Sequence, residues 1–141
     1  MSCEERYRQQ IGEILAEDSR YEAAAYDFVR EAVSYTTGKV FSNQAAEDGK
    51  RHVTGPQLAE GVRELALKEF GPLAADVLER WGLRETEDIG NIVFNLVNKE
   101  LLGASEEDSI QDFVDVYDFG EAFLKPFVEV GNPPENVPKI A

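Results

Sequence analysis

VTGPQLAEGVRELALKEFG (Val53–Gly71), PLAADVLERWG (Pro72–Gly82) and LRETEDIGNIVFNLVNKELLG (Leu83–Gly103) follow one another without a gap. Each is an apolar-periodic run closed by a glycine, and that succession decides the fold. In the first run Leu58, Val62, Leu65, Ala66 and Phe70 recur at helical spacing and make one inward stripe. Thr54 fits the N-cap, Pro56 falls in the first turn where a missing N–H is harmless, and Gln57 completes a capping box. Gly71 suits a left-handed cap and Pro72 starts afresh, so the chain is expected to turn sharply there. Leu73, Ala74, Val77, Leu78 and Trp81 line the second run, and Gly82 ends it. Thr86 is expected to cap the third, with Glu87 and Asp88 at the positive end of the helix dipole. Ile89, Ile92, Val93, Phe94, Leu96, Val97 and Leu101 are apolar almost all round, which predicts a central helix covered on several sides.

Upstream, Ile11, Ile14 and Leu15 mark a short first helix over residues 4–16 in a charged background. Ser19-Arg20-Tyr21-Glu22 has the pattern of a capping box. Tyr21, Ala24, Ala25, Phe28, Ala32 and Val33 then give one face of a second helix, with Gly38 as its expected stop. Residues 38–52 are the least regular stretch; Val40-Phe41 reads either as a short strand, paired with His52-Val53 in a hairpin, or as an anchor under the bundle. Downstream, Ser105 and Ser109 are alternative caps of a sixth helix burying Ile110, Phe113, Val114 and Tyr117. A short helical piece follows over 119–127, broken from it at Gly120 and ended or kinked by Pro126. The tail GNPPENVPKIA (131–141) lacks periodicity and is expected to be extended or disordered. The expected fold is therefore all-α, a compact single-domain bundle of about six helices within residues 1–130. The alternative is α+β, with a small two-stranded hairpin near 38–53.

The blocks RYEAAAYDFVREAVSYT, RHVTGPQLAEGVRELALKEFGPLAADVLERWG and TEDIGNIVFNLV resemble those of a family of small bacterial proteins, the Verrucomicrobia/Planctomycetes-restricted conserved hypothetical family. The resemblance runs over about residues 11–120; where the family usually has an aromatic residue this chain has Ile89, a change conservative for packing. It implies the domain limits and a bacterial cytoplasmic setting. It carries over no catalytic or binding residue.

The chain has 141 residues and a formal charge of −14, from 28 acidic against 14 basic side chains. Phosphate backbones and anionic lipid surfaces are bound by basic faces, so direct nucleic-acid binding and membrane binding are disfavoured. The longest uncharged apolar run, Ile89–Asn98, is too short to span a bilayer. Cys3 is the sole cysteine, which rules out an internal disulfide; an exposed thiol without a role is expected. The start MSCEERYRQQ lacks the apolar core of a secretory signal, so a cytoplasmic setting is expected.

Two places are candidates for function. Lys50-Arg51-His52 is the one tight basic cluster, and it precedes the helix start at Thr54 and Gly55. Two cations, free amides and the helix dipole suit a phosphate or carboxylate there. The glycine spacing matches neither a P-loop nor a dinucleotide fingerprint. No metal site, cofactor or nucleophile motif is expected, since His52 is the sole histidine. The second candidate is acidic: between Glu85 and Glu121 eleven acids stand against Lys99 alone. Asp108, Asp112 and Asp115, at i, i+4 and i+7, form its core and suit a basic protein partner by electrostatic steering. The function expected first is that of a non-enzymatic interaction or scaffold protein with an acidic partner face, as monomer or homodimer. The alternative is a small-molecule or anion-binding protein, and conceivably an enzyme, using Lys50, Arg51, His52, Thr54 and Gly55.

Overall fold

The computed structural model describes residues 2–41, 53–103 and 109–126. Among these, five α-helices carry the fold: α1 (Cys3–Glu17), α2 (Ala23–Val40), α3 (Gly55–Phe70), α4 (Ala74–Arg80) and α5 (Thr86–Asn98). Single helical turns follow, a 3-10 turn at Ile110–Phe113 and a wider π-type turn at Gly120–Leu124. No strand occurs among the described residues, so the protein is all-α. The Val40-Phe41 strand of the hairpin alternative does not form, because Val40 is the last residue of α2 and Phe41 its C-cap; residues 42–52 of that alternative, and the tail expectation over 131–141, lie outside the described residues.

α1 starts on a capping box: the Ser2 hydroxyl accepts from the Glu5 amide at 3.1 Å while the Glu5 carboxylate accepts from the Ser2 amide at 3.0 Å. Tyr7, Ile11 and Ile14 form its buried stripe. The Ser19 box is not used. Asp18 takes the Arg20 amide at 3.1 Å, and the Glu22 amide donates to the Trp81 carbonyl at 3.1 Å. These bonds hold residues 18–22 out of a helix, extended at Asp18 and Glu22 and bent at Arg20 and Tyr21, and α2 begins only at Ala23. α2 also runs through Gly38 to Val40, where the Phe41 amide closes on the Thr37 carbonyl at 3.0 Å. A glycine inside a helix costs about 1 kcal/mol, and the tie from Lys39 to Glu64 on α3 helps hold that last turn.

α3 has the Thr54–Gln57 box read from its sequence, with Gln57 N–H donating to Thr54 Oγ1 at 3.2 Å and Thr54 N–H to Gln57 Oε1 at 2.9 Å. Leu58, Ala59, Val62, Leu65 and Ala66 are its buried face. Gly71 ends it at φ 53°, and the 3-10 turn Gly71–Leu73 swings the chain into α4. That turn points Leu73 outward, 62% exposed, so it is not part of the inward stripe as its spacing suggested. Ala74 and Leu78 are buried, while Trp81 packs its ring on Phe28 and Phe70 at centroid distances of 5.5 and 5.7 Å.

Gly82 turns the chain into α5 at φ 101°, where a Cβ would stand 2.3 Å from the Arg20 carbonyl oxygen. Only glycine suits both the left-handed angle and that approach. α5 is capped by Asp88 rather than by Thr86: Asp88 Oδ2 accepts from the Arg84 and Glu85 amides at 2.8 and 3.1 Å. Ile89, Ile92 and Leu96 are fully buried.

α5 is not apolar all round. Asp88, Asn91 and Asn95 make a polar seam, i, i+3 and i+7, directed at Tyr21 and at Tyr26 on α2. The Tyr21 hydroxyl donates to Asp88 Oδ1 at 2.6 Å and accepts from Asn91 Nδ2 at 2.9 Å. Asn95 Nδ2 bonds the Tyr26 hydroxyl and Asp18 Oδ2, each at 3.0 Å. Burial pushes both phenols above their ordinary range. The Arg20 guanidinium, bonded at 2.7 Å, holds the Asp18 carboxyl well below the usual carboxylate range, with the Asn95 amide assisting. This network fixes the rotation of α5 against the α1–α2 corner, because turning the helix would break the bonds of Asp88, Asn91 and Asn95 together.

Candidate functional site

The acidic candidate rests on the segment after α5. Ser109 is extended, and its amide donates to Asp112 Oδ2 at 3.0 Å, so Asp112 caps the 3-10 turn it belongs to. The expected sixth α-helix does not form. Val114 is extended and Asp115 sits at φ 53°, a left-handed conformation that an aspartate tolerates better than most residues.

The cause lies in α5. The Thr86 hydroxyl, 1% exposed, donates to the Phe113 carbonyl at 2.5 Å and accepts from the Val116 amide at 3.1 Å. One oxygen thereby occupies the two backbone groups that a continuing helix would need. The Phe113 ring fills the slot beside Gly90 of α5, where a Cβ would come within 2.7 Å of it. Asp112 sits against Gly55, the first residue of α3, its Cβ 2.7 Å from where a Cβ on Gly55 would be. Farther on, the Tyr117 hydroxyl donates to the Ala59 carbonyl at 2.8 Å, and burial pushes that phenol up. Asp118 Oδ2 accepts from the Glu121 amide at 3.0 Å, and Phe119 and Phe123 meet edge-to-face at 5.0 Å.

The two candidates are therefore neighbours. Asp112 of the acidic set packs its Cβ and carbonyl on Gly55 of the basic-cluster set, at the first residue of α3. The described members of the anion candidate are otherwise engaged: Thr54 is bonded through hydroxyl and amide to Gln57, and Gly55 is buried under Asp112 and Phe113. Lys50, Arg51 and His52 lie outside the described residues, as does Asp108. Asp115, Asp118 and Glu121 are exposed, and Asp115 has no hydrogen-bond or ion-pair partner among the described residues. No group of three or more His, Cys, Asp or Glu suited to a metal ion occurs among the described residues, and no helix there is long and apolar enough to cross a membrane.

A groove of about 480 Å³ runs between α2 and α3, with Tyr35, Thr36 and Val40 on one wall and Pro56, Gln57 and Gly61 on the other. At one end Glu64 accepts from the Tyr35 hydroxyl at 3.2 Å and from Lys39. The ammonium of Lys39, ahead of burial, sets the Glu64 carboxyl below its ordinary value.

No family model, curated protein or solved structure matches the chain. The family resemblance of its sequence blocks therefore stands on those blocks alone. Charge counting found the acidic segment in the sequence, but nothing there pointed to Thr86 as its anchor. The seam on α5 did leave a signal, since Asn91 and Asn95 at i, i+4 interrupt an otherwise apolar helix.

Proposed function

We propose that this is a non-enzymatic interaction or scaffold protein that receives a basic protein partner on the acidic face of Asp108, Asp112 and Asp115. The observation that carries this reading is the manner in which Asp115 is presented. It is exposed, without a hydrogen-bond or ion-pair partner among the described residues, on a segment braced on α3 by Tyr117 and on α5 by Phe113 and Thr86. Charges held on a braced turn need little ordering when a partner binds, and the acids gathered around them steer cationic surfaces toward the face. The exposed free thiol of Cys3 fits a reducing, cytoplasmic setting.

The test is affinity capture from native lysate at low and at high salt, followed by titration of any recovered partner against the purified chain. The variant changes Asp108, Asp112 and Asp115 together to Asn. Asn caps a helical turn about as well as Asp, so the substitution removes charge while keeping the Ser109 cap. A basic protein recovered at low salt, released at high salt, and weakened by about tenfold or more (~1.4 kcal/mol) in the variant is the expected outcome. If every captured partner binds the folded triple variant as before, the acidic-face reading is wrong.

A further inference from the structure

We draw no further inference here: the strongest candidate, the groove between α2 and α3 lined by Tyr35, Val40, Pro56 and Gly61, carries none, because the unpartnered buried hydroxyl beside it, that of Thr36, faces the Gly61 backbone rather than the open groove, and nothing in the structure shows what covers it.

Discussion

Gly61→Ala sets two effects of opposite sign against each other. In a helix interior alanine is better than glycine by about 0.5–1 kcal/mol, so on propensity alone α3 gains. Packing says otherwise. A Cβ at position 61 would stand 1.7 Å from Thr36 Oγ1 and 2.9 Å from Thr36 Cβ, both on α2. The Thr36 Cβ is fixed to the α2 backbone, so Thr36 must leave its rotamer and α2 and α3 must also move apart. Overpacking of this kind costs about 1–3 kcal/mol, and here it acts on the crossing of the two longest helices. The net expectation is a loss of about 2 kcal/mol. Urea unfolding followed by circular dichroism reads this as a midpoint lower by about 1 M, for an m-value near 2 kcal/mol/M. Thr36→Ala alone removes a buried hydroxyl that has no partner, which relieves about 1–3 kcal/mol, and a methyl worth about 0.8 kcal/mol. It should be neutral to stabilising. The double variant recovers part of the loss but not all of it, since the Thr36 Cβ remains close, and the coupling should reach about 1 kcal/mol. A Gly61→Ala protein with a raised midpoint would show that the helices do not cross this tightly and would refute the reasoning.

Thr86→Val keeps the shape and deletes the hydroxyl, leaving the Phe113 carbonyl and the Val116 amide unbonded; a loss of about 2–4 kcal/mol is expected by thermal or urea unfolding. Asp18 has a depressed folded pKa, so its contribution is present above the unfolded carboxylate value and fades as pH falls through the folded one. Stability should drop on acidification below about pH 4, and Asp18→Asn should flatten that part of the profile. Glu69 works in the opposite sense. Burial first, and the hydrogen bond and charge of Glu31 next, raise its pKa, so its ionised form weakens the fold at neutral pH and the strain eases as pH falls through that raised value. Glu31→Gln should therefore stabilise slightly at pH 7 and not at pH 4; equal effects at both would count against the pair.

The parts of the fold legible in the sequence were those set by near neighbours. α3, α4 and α5 follow from periodic stripes, from the Thr54–Gln57 box and from the stops at Gly71 and Gly82. What was not legible depended on distant atoms. Ser19 has the local pattern of a cap, yet the Trp81 carbonyl takes the Glu22 amide and delays α2. Gly38 has the look of a stop, but the helix continues, and Lys39 reaches Glu64 across the interface. Ile110 to Tyr117 has helical periodicity, while the hydroxyl of Thr86 diverts its backbone into a single turn. The acidic face was visible as composition; that Asp112 packs on Gly55 was not, because that contact depends on the path the chain takes between them.

The bond pair at Thr86 also sets up a reciprocity. The segment bearing Asp112 and Asp115 is placed by one oxygen at the first turn of α5 and by the Phe113 ring beside Gly90. Whatever grips those carboxylates in their folded arrangement also holds the head of α5 in the bundle, and so adds its binding free energy to the stability of the whole. By the same linkage, a change at Thr86, buried beneath the surface, would lower the affinity of the proposed partner to the extent that it loosens the turn. Distance from the acidic surface gives α5 no independence from what happens there.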